Sequence, residues 1–226
     1  MGAQWRIAAL AAGLGLATTW ACVPPPPQGQ LDALRVLDSI PIAVENGVGY
    51  DRDLFRYPSD LDGDHCDTRA EVLLRDTFVP VVPVPGACEF TGGRWHSAYD
   101  GITTEDATAL EIDHVVALKE VWDSGAFAWD EARRVAFGND LTDVRSLAAV
   151  TSTSNRAKGD QDPATWLPPL PAAVCPFIGR WIAIKAHWGL SMDETEHARI
   201  RDLLGGACIG LVIDGFTPAA KAVSRR

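Results

Sequence analysis

A fold that mixes β-strands with α-helices is what the sequence predicts, on three observations. Ile112-Asp113-His114-Val115-Val116-Ala117-Leu118 sets β-branched and aliphatic residues around one carboxylate and one imidazole. That suits a strand whose polar pair leaves the core at a single point. Leu147-Ala148-Ala149-Val150 is a second short apolar run, and Thr151 to Ser154 offers hydroxyl N-caps ahead of Asn155, Arg156 and Lys158, the pattern of a helix start. Strand, strand, helix is the local reading, and residues 112–166 are the stretch the rest of the chain surrounds.

Taken in order, Met1 to Ala21 reads as an export signal, with Arg6 near the start, an apolar run from Ile7 to Ala17 and a small-residue cleavage site at Thr19-Trp20-Ala21. Cys22 follows directly, so a lipid anchor there is the lesser alternative to plain secretion. Residues 22–30 form a Pro-rich linker that has no core-forming capacity, and residues 31–226 are expected to be one domain. Leu31 to Leu37 has the apolar spacing of a short helix ended by Pro41. Asn46 to Asp64 reads as loop. Its Asp60-Leu61-Asp62-Gly63-Asp64 run is an Asp-rich turn rather than an EF-hand, because the later Glu of such a loop is missing.

Thr68 to Phe78 looks helical, with Val72, Leu73 and Phe78 inward. Val79 to Val84 is β-branched but carries Pro80 and Pro83, which confines it to a sheet edge. Cys88 to Trp95 and Ser97 to Tyr99 are candidate strands about the Gly92-Gly93 turn. Lys119 to Phe137 reads as one or two helices broken at Gly125, with its tryptophans as cover for the core and a base-stacking platform as the competing role. Beyond Pro171, the apolar positions Phe177, Ile178, Trp181, Ile182, Ile184 and Trp188 make a helical face that Gly189 stops. Ser191 and Glu194 form a capping-box pattern for a last helix towards Leu204. The tail after Thr217 is expected to fray.

The chemistry is concentrated in a few motifs. Asp113-His114, the short second strand and Asn155-x-x-Lys158-Gly159 resemble the ββα-metal core of the HNH, or His-Me finger, nucleases. Gly49-Tyr50-Asp51-Arg52, Asp62-Gly63-Asp64-His65-Cys66-Asp67-Thr68-Arg69, Gly93-Arg94-Trp95, Lys158-Gly159-Asp160-Gln161-Asp162-Pro163 and Trp166-Leu167-Pro168-Pro169 are similar to one branch of that superfamily. This branch comprises small secreted actinobacterial HNH proteins, related to the C-terminal nuclease domain of some modification-dependent restriction enzymes. The resemblance implies an α+β fold with a small ββα catalytic unit wrapped by helices.

It also implies roles. His114 is the expected general base, and Asp113 and Asn155 are the expected ligands of a single Mg²⁺ or Mn²⁺ ion, since both present the hard oxygens such cations prefer. Adjacent strand residues face opposite ways, so Asp113 and His114 serve one site only where the strand ends or bends. Ser146 stands where the family has a middle Asn that steadies the base-bearing loop, with Asn139 and Asp140 as alternative carriers of that role. Lys158, Arg156 and Arg94 are the candidate contacts to substrate phosphate, with a structural ion pair as the competing reading for Arg94. Together these imply a secreted, divalent-metal-dependent endonuclease that cuts DNA, and RNA as a second substrate class, with low sequence specificity. The alternative is a non-catalytic secreted or envelope binding protein that keeps the nuclease scaffold.

Two global features bear on this. The net charge is −10, unfavourable for long-range attraction of a polyanion. The acidity is uneven, with 16 acidic and 6 basic residues from Leu31 to Glu111 but 9 and 8 from Ile112 to Leu190. Besides Cys22, four cysteines remain in the exported part. An even set in an oxidising compartment points to disulfides. Cys66 with Cys88 and Cys175 with Cys208 is the favoured pairing, because each pair brackets one helix-containing segment and leaves the catalytic stretch unbridged.

Overall fold

A computed structural model of the protein describes residues 30–84 and 88–214. The export signal, most of the Pro-rich linker, Cys22 and the tail after Thr217 lie outside the described residues. The chain is mixed α+β. Its elements in order are β1 (Gln30–Asp32), α1 (Ala33–Leu37), α2 (Thr68–Asp76), β2 (Val79–Pro83), β3 (Phe90–His96), β4 (Thr103–Thr104) and β5 (Leu110–His114). Then come α3 (Leu118–Asp123), α4 (Glu131–Gly138), β6 (Leu147–Thr151), α5 (Ser152–Lys158), α6 (Pro171–Trp188), α7 (Glu194–Gly205) and β7 (Val212–Asp214).

The strands form small antiparallel sheets in the orders β1-β7, β2-β3-β4 and β5-β6. The Pro-containing β2 takes an edge, as its missing N–H donors require. Ser97 to Tyr99 is a turn instead of a strand. Tyr99 is buried there, against Trp166 and Phe177, so its apolar signal came from packing rather than from sheet pairing.

The β5-β6 pair is the partition on which the molecule is built. Its register sets Ile112 opposite Ala149, Asp113 opposite Ala148 and His114 opposite Leu147. Because strand side chains alternate between faces, Leu110, Ile112, Leu147 and Ala149 enter one apolar cluster with Val72, Leu73 and Trp95. Ala148 and Val150 enter the other, around Phe177, Ile178, Trp181 and Ile182 of α6. Both faces of β6 are therefore covered, which explains its unbroken apolar run.

Helix ends follow local chemistry. Asp67 accepts the Ala70 N–H to start α2, Asp130 accepts the Arg133 N–H to start α4, and Gly189 takes a left-handed φ of 67° to stop α6. The cap of α7 is Asp193, which accepts from the Glu196 N–H, and not Ser191. Ser191 Oγ instead donates to the Ser124 carbonyl at 3.0 Å. Both expected disulfides are formed, Cys66 with Cys88 and Cys175 with Cys208.

Candidate functional site

β5 and α5 meet at a cleft of about 230 Å³ lined by Asp113, His114, Asn155, Arg156, Arg52, Gly159 and Asp160, among others. α5 starts immediately after β6, with Thr151 Oγ1 accepting the Ser154 N–H at 3.2 Å. A short loop-free junction thus lays the helix back across the strand pair. β5 ends at His114, so the alternation that would send Asp113 and His114 to opposite faces is resolved at the strand terminus. Both residues line the cleft.

Asp113 is buried, and both its oxygens are engaged. The Tyr99 hydroxyl donates to Oδ2 at 2.5 Å, and the Lys158 ammonium donates to Oδ1 at 2.8 Å and to the His114 carbonyl at 2.9 Å. Lys158 has no exposed surface, so it meets Asp113 rather than solvent or phosphate, contrary to the expected substrate contact. Burial, and then the Asp113 charge, push the Tyr99 hydroxyl far above its ordinary pKa, so that it stays a proton donor.

His114 packs edge-to-face with Tyr57, ring centroids 4.6 Å apart, and is stacked on Phe137. One ring nitrogen, Nε2, lies 2.8 Å from the Gly138 carbonyl. A carbonyl only accepts, so chemistry assigns the proton to Nε2 and leaves Nδ1 as the acceptor. Burial foremost, with Arg52 and Lys158 nearby, holds the imidazole pKa down at about 3, and the ring is neutral.

Asn155 donates from Nδ2 to Glu111 Oε2 at 2.7 Å, while Arg156 pairs with Glu111 Oε1 through Nε at 3.0 Å and Nη2 at 2.7 Å. Ser146 does not line the cleft. Its Oγ donates to Asp140 Oδ2 at 2.7 Å, and its carbonyl accepts the Val115 N–H at 3.0 Å. The residue after the imidazole is thereby held through the Ser146 backbone, with the Asp140 carboxylate fixing the serine. Asn139 ties a different junction: it accepts from the Ser59 N–H at 3.0 Å and from Thr68 Oγ1 at 2.7 Å. Arg94 sits on β3, paired with Glu105, and is not among the cleft's lining residues.

Asp113 and Asn155 offer the oxygen type that hard divalent cations take. Both Asp113 oxygens already accept, Oδ1 from the Lys158 ammonium and Oδ2 from the Tyr99 hydroxyl, so a cation there would share a carboxylate that both partners orient. Asn155, anchored through its NH₂, has Oδ1 as its free end. Among the described residues, two acidic triads elsewhere bring carboxylate oxygens within 4.8 Å of one another, Glu45 with Asp162 and Asp193, and Asp60 with Asp62 and Asp64. Neither shares a residue with the cleft. The Asp60 triad is a self-bonded turn, with Asp60 accepting from the Gly63 and His65 N–H groups.

Three residues that shape the cleft carry no expectation from sequence: Glu111, Tyr99 and Arg52. Arg52 lies in the Gly49-Tyr50-Asp51-Arg52 motif, which was its available signal. Glu111 and Tyr99 had no signal for a role at the cleft, since each acts through a partner that only the fold brings to it, Asn155 and Asp113 respectively. Trp122, buried, and Trp129, packed on Phe137 and Trp188, serve as cover.

A protein of Arthroderma benhamiae described as "Uncharacterized secreted protein" is 42% identical over 156 residues, which are 69% of this chain and 74% of that protein. No family model matches the chain, and no solved structure matches it.

Proposed function

The chain belongs to the same family as the secreted Arthroderma benhamiae protein and is itself secreted, and on that premise we propose that it is an exported endonuclease of the HNH type, hydrolysing phosphodiester bonds of DNA with low sequence specificity, RNA being the second substrate class to test. One observation carries the reading. A carboxylate and an imidazole adjacent in sequence, Asp113 and His114, and the amide of Asn155, 41 residues beyond His114, line one cleft at the junction of a strand pair and a helix.

Hydrolysis of a phosphodiester needs a proton acceptor for water, charge opposite the phosphorane oxygens and relief at the leaving oxygen. His114, neutral and with Nδ1 as its acceptor, is the base. Its Nε2–H bond to Gly138 and the Tyr57 and Phe137 rings hold the imidazole in one orientation. Asp113 and Asn155 are the residues that would hold Mg²⁺ or Mn²⁺, and what a bound ion supplies is positive charge at the phosphate. Arg52 and Arg156 are the cations at the cleft that a phosphate backbone would meet. The overall charge gives little long-range attraction, so binding would depend on these local cations and on salt.

Plasmid DNA incubated with the mature protein and Mg²⁺ or Mn²⁺ is expected to be cut, and to stay intact under chelation. His114→Ala is expected to lower the rate by at least about a hundredfold with an unchanged circular-dichroism spectrum, the usual scale for losing a general base. DNA left intact in every arm, RNA included, would leave a binding protein on this scaffold. Cutting by the variant at the wild-type rate would remove His114 from the reaction.

A further inference from the structure

Glu111 lies on β5 two residues before Asp113, on the same face of the strand. Its carboxylate spans two consecutive residues of α5. One oxygen takes the Asn155 Nδ2–H at 2.7 Å, and the other takes the Arg156 guanidinium, whose Nη2 is at 2.7 Å. A carboxylate can only accept, so it holds the amide by its NH₂ end and turns the carbonyl end away. An amide flip would set two oxygens against each other. The side chain is 29% exposed while Arg156 is 77% exposed, so the Asn155 contact is the more sheltered of the two.

We propose that Glu111 is the positioning residue of the cleft: by gripping the Asn155 amide nitrogen it presents Asn155 Oδ1 as a cation ligand beside Asp113. This rests on reading the cleft as the site of a divalent cation. Glu111 does not itself touch the ion. It sets which end of a two-ended side chain faces it, a task that the amide alone leaves open because its two ends are nearly the same shape.

The test is Mn²⁺ binding to the free, full-length protein, followed by electron paramagnetic resonance and calorimetry without substrate. Glu111→Ala is expected to weaken Mn²⁺ binding by about tenfold to a hundredfold, the range seen when groups that orient metal ligands are removed. In an Asn155→Ala background the same change is expected to do nothing further. Arg156→Ala is expected to leave Mn²⁺ affinity unreduced, because Arg156 is only a second guest of the carboxylate. Glu111→Gln replaces Glu111→Ala should the latter not fold, with the same loss expected, because its amide can pair with either end of Asn155.

Equal Mn²⁺ affinity in wild type and Glu111 variants would overturn the proposal. So would a loss that persists in the Asn155→Ala background, since that is the signature of bulk charge rather than positioning. Absence of any Mn²⁺ binding by the wild-type protein would overturn the cation reading on which the proposal stands, a result distinguishable from either of the others.

Discussion

Lys158 shows how a residue's chemistry is rewritten by its neighbours. In sequence it is a cation on a short helix. In the fold it is a fully buried ammonium bonded to Asp113 and to the His114 carbonyl. Taking both charges out of water is costly, and removing one partner strands the other. Lys158→Met is therefore expected to destabilise the protein by about 3–5 kcal/mol, measured by urea unfolding. A loss below about 1 kcal/mol would mean that Asp113 finds another partner once the ammonium is gone. Asp113, His114 and Asn155 could be picked out through the resemblance of their motifs to the HNH core. Their partners could not, because Tyr99 comes from the turn before β4, Gly138 from the end of α4, and Glu111, though on β5, meets Asn155 across 44 residues of chain.

At the level of elements, apolar periodicity located the helices well. It placed the amphipathic α2, the long α6 ended at Gly189 and the break at Gly125, because one-sided burial imposes its period on any helix, but Phe78, expected on the inner side of α2, lies past its end at Asp76 and is exposed. It misjudged features where two local solutions compete. Ser191 and Asp193 both stand before α7, and the N–H of Glu196 went to the carboxylate, the hydroxyl being drawn off to Ser124. Where one cap stands alone the consequence is simple. Asp130 accepts the Arg133 N–H at 2.8 Å from an exposed position. Asp130→Ala is expected to cost about 1 kcal/mol of stability in thermal or urea unfolding, whereas Asp130→Asn is expected to cost little.

Across the whole molecule, α3, α6 and α7 are joined by one buried polar cluster. The Lys185 ammonium, fully buried, donates to Glu120 Oε1 and to Glu196 Oε2, the latter at 2.7 Å, while Trp181 Nε1–H donates to Glu196 as well. Two carboxylates share one ammonium, so the cluster is neutral when one of them keeps its proton. Burial first, with Glu120 nearby and Lys185 opposing, raises the Glu196 pKa from 4.5 to about 8. In the unfolded chain the same carboxyl loses its proton near 4.5. The native state therefore binds the extra proton between these values, and this contribution is full below about 4.5 and lost as pH rises through about 8. The melting temperature is expected to fall between pH 6 and pH 9, and Glu196→Gln is expected to flatten that slope. An identical slope in both proteins would place the proton elsewhere.

By itself the sequence determined the mixed class, the strand-strand-helix order, the presence of four cysteines suited to two bridges and the three residue types that converge on the cleft, while the structure decided which cysteines pair. Those properties reside in local spacing, in caps and in the chemistry of single side chains. Only the tertiary structure decided that Asp113 is neutralised by a buried lysine, that β5 stops at His114 so both residues reach one cleft, and that Glu111 grips Asn155. Each of those depends on which distant groups share a desolvated space, and the strength of an electrostatic or hydrogen-bonded contact is set by that sharing and not by position along the chain.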